Sequence, residues 1–220
     1  MLETMAHFFN SRLAEYEAHQ LCAIEGARSF YPFTAAQLPR QERAEILDLG
    51  CGTGLELEAY YAVNPTAHVT GIDLAGDLLR VLERKFPRAF ITVVEGSYFS
   101  VPLGEGRYDA AVSVESLHHF TQAEKIPLYK SVRRALRPNG FFLLTDYFAA
   151  TAEEENAMRQ AFLREKAAQC LPDGEYYHYD TPLTLEHECQ ALTAAGFSAV
   201  ECLGQWGSTA TLKAWNHAGL

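Results

Sequence analysis

Asp48, Gly50, Gly52, Gly54 and Asp73 are the first residues whose types and spacing could do chemistry. The glycines stand in Ile46-Leu47-Asp48-Leu49-Gly50-Cys51-Gly52-Thr53-Gly54, and Asp73 follows 19 residues beyond Gly54. Glycines let a backbone turn tightly and approach a ligand where a Cβ would intervene. Asp48 is an anion where a phosphate binder prefers neutrality, so it suits a ligand with a cationic group. An ionised carboxylate accepts two hydrogen bonds from a diol, and Asp73 stands where a nucleoside presents its ribose. The spacing excludes two ligand types. A dinucleotide fingerprint needs glycine or alanine at the sixth position from Gly50, which is Leu55, and the Gly-Lys-Ser/Thr of a phosphate loop is missing. A second centre is Glu115-Ser116-Leu117-His118-His119. Imidazoles titrate near neutrality and suit proton transfer. No metal is expected there, because a third ligand at a matching spacing is absent and Glu115 would be a cramped partner.

These residues need a sheet edge to stand on. Ile46 and Leu47 end a buried strand, and Thr53 with Glu56 reads as a capping box opening a helix to about Val63, ended by Asn64-Pro65. Residues 67–73 form a second strand, Asp77–Arg84 a helix stopped by Pro87, and Ala89–Val94 a third strand. Residues 106–114 form a fourth, with the histidines just past its end. Thr121 and Glu124 cap a helix to Leu136, then 138–140 turn into a fifth strand over Phe141–Phe148, apolar on both faces. Thr151 and Glu154 cap a helix to about Ala168, and Pro172–Pro182 is a polar and aromatic loop. A further helix reaches Ala195, and residues 197–203 and 208–215 read as a hairpin about Gly204–Gly207. Residues 2–25 carry apolar side chains at helical steps, which would place Arg12 and Tyr16 on one face; 27–43 read as a compact connection.

Residues 46–54 resemble the first motif of the class I S-adenosylmethionine (SAM)-dependent methyltransferases. The acid of 71–74, the Tyr108-Asp109 strand start, the Leu117-His118-His119 word and the Arg137–Gly140 turn resemble that family too. The resemblance implies an α/β, doubly wound, seven-stranded, mostly parallel sheet (the Rossmann-like methyltransferase fold), with an antiparallel last strand and a helical cap. It implies one domain over 1–220, with 1–43 as a helical lid and 151–182 as a cap insertion. Gly50, Cys51 and Gly52 would pass beside the methionine end of SAM, and Asp48 would orient its amino group. Asp73 would take the ribose hydroxyls and Leu74 would lie against the adenine, with Val114 completing the strand-end set. Most relatives have an acid where this chain has Ser97, and Tyr98 could compensate by stacking. Phe9-Asn10 followed by Tyr16 resembles the family's opening words, in which the tyrosine reaches the cofactor. Arg12 could meet a carboxylate of SAM or of an acceptor.

The implied reaction is in-line methyl transfer from SAM to a small-molecule acceptor, giving S-adenosylhomocysteine. A sulfonium is already electrophilic, so positioning and water exclusion are the main tasks. No Gly-x-Ser-x-Gly nucleophile is needed, and none is present. His119 ranks first as acceptor base, His118 holds the turn, and Asp146 and Tyr147 point to the acceptor side; transfer by proximity alone is the alternative. The formal charge of −10 argues against nucleic acid, although an RNA methyltransferase and a SAM-binding protein without transfer remain alternatives. The 220 residues are 48% hydrophobic with no apolar run long enough to span a membrane, and the N-terminus lacks a secretory pattern. A cytoplasmic monomer or homodimer with no membrane partner is expected. The five cysteines, at 22, 51, 170, 189 and 202, are scattered without a Cys-x-x-Cys pair.

Overall fold

A computed structural model describes residues 1–87 and 90–217. The strand β1 (Glu45–Leu49) lies third in a seven-stranded sheet, with β2 (His68–Asp73) and β3 (Phe90–Glu95) on one side. On the other lie β4 (Tyr108–Val114), β5 (Leu136–Tyr147), β7 (Thr209–Trp215) and β6 (Ala199–Trp206), giving the order β3-β2-β1-β4-β5-β7-β6. All pairings from β3 to β5 are parallel; β7 runs antiparallel to both β5 and β6. The order reverses between β1 and β4, which opens a crevice at their carboxyl ends. Alternate residues of β1 feed opposite faces. Ile46 packs with α3 (Ala27–Gln37), α4 (Leu55–Val63) and α5 (Gly76–Lys85), through Phe30, Leu57 and Leu79. Leu47 and Leu49 pack with α6 (Gln122–Ala135) and α8 (Leu185–Ala194), through Tyr129, Val132 and Leu192. Among the described residues no helix is long and apolar enough to cross a membrane.

Several sequence expectations need correcting. The opening amphipathic segment is two helices, α1 (Met5–Ser11) and α2 (Tyr16–Ala23), not one. Arg12 closes α1 by donating to the Phe8 carbonyl at 3.0 Å and to both oxygens of Glu3, so it does not share a helical face with Tyr16. The connection after Gly26 is the helix α3, which tolerates Pro32 because Phe30 and Tyr31 are buried beside it and Trp206 packs on Phe30 and Phe33. The β5 strand starts directly at Leu136, with Asn139 in a left-handed conformation rather than in a separate turn. The third strand starts at Phe90, and Ala89 lies outside the described residues. The helix α7 (Ala152–Ala168) buries no residue, and the strap that follows it (residues 169–182) places His178 and Asp180 at the larger cavity.

The expected Thr121–Glu124 capping box is formed, and Thr151 and Thr184 also cap their helices. α6 is fixed to α8 by a buried ion pair. Lys125 (1% exposed) donates to Glu188 (0% exposed) at 2.5 Å, and the Tyr129 hydroxyl donates to the other Glu188 oxygen. Breaking such a pair leaves an uncompensated buried charge, whereas replacing both partners by apolar groups is nearly neutral. Lys125→Met should therefore destabilise the chain by about 3–5 kcal/mol in urea unfolding. Lys125→Met combined with Glu188→Met should recover most of it; no recovery would contradict the pairing.

Candidate active site

The glycine turn after β1 is made of left-handed residues, with φ of 73° at Gly50, 48° at Gly52 and 73° at Gly54. Gly50 and Cys51 donate their amides to the Ile72 carbonyl at 2.8 and 3.3 Å, tying the turn to the end of β2. Gly52 donates to one oxygen of Asp73 at 2.9 Å and Ala75 to the other at 2.8 Å. Burial raises the Asp73 pKa, and those amides oppose the rise. The Tyr16 hydroxyl lies over the turn: a Cβ on Gly52 would sit 2.6 Å from it. Burial and then Asp73 hold the Tyr16 phenol well above its ordinary pKa, so it stays protonated.

The capping box expected at Thr53 does not form. α4 begins at Leu55 on a Gly54 cap, and Glu56 turns inward beside Asp48. Asp48 Oδ2, Glu56 Oε1 and Thr53 Oγ1 are all buried without a hydrogen-bond partner. Both carboxyls are pushed up by burial, Asp48 further by its neighbour Glu56. Two buried acids with free oxygens form a socket for a cation.

Two cavities meet at this edge. A narrow one of about 40 Å³ is lined by Gly50, Asp73, Leu74, Tyr98 and Phe120. A larger one of about 520 Å³ lies beside it, lined by Arg12, His118, Tyr147, His178, Asp180 and Trp206 among others. Phe9, Tyr16, Glu115 and His119 line both. Glu115 takes a left-handed φ of 50°, unusual for a non-glycine residue, and its carboxyl accepts from the Thr209 hydroxyl at 3.0 Å. Burial raises its pKa to about 7 against the opposing charge of His118. His118 Nδ1 is 2.6 Å from Asp146, which also accepts from the Leu117 and Tyr147 amides. Burial disfavours the His118 charge, yet Asp146 and Asp180 outweigh it and raise its pKa to about 10. His119, buried and next to that cation, is held neutral well below its usual range, with Nδ1 3.1 Å from the Tyr179 carbonyl. Burial opposes the Asp180 charge, but His118, then His119 and His178, draw its carboxyl well below the usual range.

Of the residues singled out in the sequence, Tyr16, Gly50, Gly52, Asp73, Leu74 and Tyr98 come together at the narrow cavity or its turn. His118, His119 and Tyr147 come together at the larger one. Asp48 lies beneath the turn, and the Cys51 side chain packs into the core against Gly71. Val114 is a core residue, and the Ser97 hydroxyl accepts from the Phe99 amide. Sequence reasoning missed Glu56, His178 and Asp180 and underrated Glu115. Asp180 sits in an aperiodic loop, and nothing in its spacing joins it to a histidine pair some sixty residues earlier.

A doubly wound sheet in this order, with a reversed penultimate strand, a left-handed glycine turn and an acid at the end of β2, defines the Rossmann-like methyltransferase fold. Residues 46–140 match the family described as "Methyltransferase domain", and that match, with the fold and the relatives, supports a class I SAM-dependent methyltransferase. It is similar to the fatty-acid O-methyltransferase of Mycolicibacterium smegmatis, 33% identical over 116 residues, which are 53% of this chain and 41% of that one. It is also similar to a tRNA (carboxymethyluridine(34)-5-O)-methyltransferase of Macaca fascicularis, 29% identical over 120 residues, 54% of this chain and 17% of the other. The chain thus spans less than half the length of both. Among solved structures, the DhpI–SAH complex superposes with a TM-score of 0.70 at 14% identity, covering 95% of this chain and 93% of that one.

The Asp48–Glu56 pair makes stability pH-dependent. Both acids have folded pKa values raised above their ordinary 3.8 and 4.5, so the native state binds more protons than the unfolded state once pH exceeds about 4. Their contribution to stability therefore falls as pH rises from there towards the raised values. Glu56→Gln should raise the melting temperature more at pH 7.5 than at pH 5 in scanning fluorimetry; an equal change at both would contradict a shared buried proton.

Proposed function

We propose that the chain binds SAM across the glycine turn and transfers its methyl group to a small-molecule acceptor held in the larger cavity. The observation that carries this is the meeting of the two cavities at Tyr16, Glu115 and His119. The residues present fit the cofactor. The unpaired oxygens of Asp48 and Glu56 suit its ammonium group, and each Asp73 oxygen keeps a lone pair for a ribose hydroxyl. With no Cβ at Gly52 the backbone there accepts close contact, which the Tyr16 hydroxyl makes in this structure. When bound, SAM supplies a methyl group on an electrophilic sulfonium. Asp73 and the acid pair fix the two ends, and the aromatic wall of Phe9, Tyr98 and Phe120 excludes water. His118, His119 and Tyr147 face the acceptor, and the proton of an acceptor hydroxyl or amine leaves to water in the larger cavity.

Binding requires movement, because about 40 Å³ beside Gly50 and Asp73 does not hold a nucleoside while Tyr16 covers Gly52. The lid that carries Tyr16 is joined to the strap. Thr4 bridges Tyr177, Met5 donates to the Tyr176 carbonyl at 2.8 Å, and His178 donates to the Glu3 carbonyl at 3.0 Å. We read the two as one closure over the crevice. A second reading, an RNA acceptor, is favoured by the tRNA-modifying relative and opposed by the formal charge of −10.

In isothermal titration, Asp73→Ala should weaken SAM binding by about 1.5–3 kcal/mol, the range for a hydrogen bond to a charged group. Equal affinities would remove Asp73 from the cofactor site. Limited proteolysis gives an independent check: saturating SAM should slow cleavage near Arg12 and within 164–180 together. Protection of one segment alone would separate lid from strap, and protection of neither would dismiss closure.

A further inference from the structure

At the wall of the larger cavity two histidines converge on one carboxylate oxygen, and His119 Nδ1 also faces the Tyr179 carbonyl at 3.1 Å. His118 Nε2 lies 3.5 Å from Asp180 Oδ1, and His119 Nδ1 lies 3.4 Å from the same oxygen. Charge-assisted hydrogen bonds close to about 2.7–2.9 Å. Two ligands on one tetrahedral zinc, each about 2.0–2.1 Å from it, stand roughly 3.3–3.4 Å apart. All three ligand atoms lie within 4.8 Å of one another.

The support behind His118 has the form that metal-bound histidines use. Asp146, 0% exposed, holds His118 Nδ1 at 2.6 Å and is itself held by the Leu117 and Tyr147 amides at 3.0 and 3.1 Å. That carboxylate fixes the ring and aims Nε2 outward. Charge points the same way. Asp146 and Asp180 bring two carboxylates to the cluster and Glu115 a third, while the nearby Arg12 is already engaged by Glu3. A divalent ion would balance them.

We propose that His118 Nε2, His119 Nδ1 and Asp180 Oδ1 bind one divalent transition metal of the zinc type, with a fourth position open to the larger cavity. Two imidazoles and one carboxylate suit that class, and three protein ligands with an open place are the pattern of a catalytic site. The acceptor then belongs to the hydroxyl compounds, a conclusion that rests on the methyl-transfer reading. The ion takes the hydroxyl oxygen and lowers its pKa, and the proton passes to water. The oxygen lone pair forms the new bond to the methyl carbon, and the broken carbon–sulfur bond leaves its electron pair on sulfur. Under this assignment His119 serves as ligand rather than as base, and its Nδ1 exchanges the hydrogen bond to the Tyr179 carbonyl for the metal.

The test uses the full chain, stripped with chelator and dialysed against Zn²⁺ or Co²⁺ alone, with metal content read by elemental analysis. One ion per chain is expected. Asp180→Ala and His118→Gln should lose it, and Asp146→Asn should weaken it by about 10–100-fold, as for other carboxylates behind a ligand. The Asp180 side chain is 45% exposed, so Asp180→Ala removes a ligand without touching the core. The cobalt form should show nitrogen and oxygen ligation without a thiolate charge-transfer band, because Cys22, Cys170 and Cys202 are exposed rivals for metal. No uptake, uptake unchanged in Asp180→Ala, or a thiolate band would each overturn the site. SAM titration of the stripped protein keeps the two readings apart: SAM binding without metal uptake sinks only the metal, and the reverse sinks only the transfer.

Discussion

Three left-handed residues within five positions at the end of β1 constrain everything at the crevice. The chain can reverse there only without side chains in the way, and the reversal is locked because Gly50 and Cys51 both donate to Ile72. That lock brings Gly52 onto Asp73 and starts α4 late, at Leu55. Had α4 begun at Thr53, Glu56 would curl back over its own first turn in solvent. Instead it is delivered inside, against Asp48, and two carboxyls share a place that neither occupies easily alone. The turn thereby leaves two buried carboxylate oxygens, Asp48 Oδ2 and Glu56 Oε1, without a hydrogen-bond partner.

The two cavities are mechanically linked. Tyr16, which covers Gly52, and Asp180, which faces the histidines, lie on segments joined through the Thr4–Tyr177 bridge and the stacking of Phe8 on His178, whose ring centroids are 3.5 Å apart. A displacement of the first two helices therefore reaches the strap without passing through the sheet. The two cavities thus share packed side chains as well as the sheet edge.

Much of the sheet was legible because its signals are local. Apolar runs bounded by glycine and proline marked β1, β2, β4 and β5, and the Thr121–Glu124 box marked α6 within a residue. The nine residues 46–54 and the distal Asp73 marked the glycine turn and the acid that it meets at the end of β2. What was not legible depends on tertiary choice. The Thr53–Glu56 spacing is a capping signal, but burial beside Asp48 overrode it. Residues 27–43 read as a compact connection, and Trp206, arriving from a strand far along the chain, packs on the helix that forms there. Arg12 read as a partner for a carboxylate of SAM or of an acceptor, and Glu3 is the carboxylate that it meets. Asp180 needed the fold to meet His118 and His119 at all.

The most direct measurement is an experimental structure of the chain with S-adenosylhomocysteine bound. The account predicts ribose hydroxyls on Asp73, the amino group at the free oxygens of Asp48 and Glu56, and the Tyr16 hydroxyl moved off Gly52. A ligand whose ribose lies away from Asp73, or one seated in the crevice with Tyr16 still over Gly52, would contradict it.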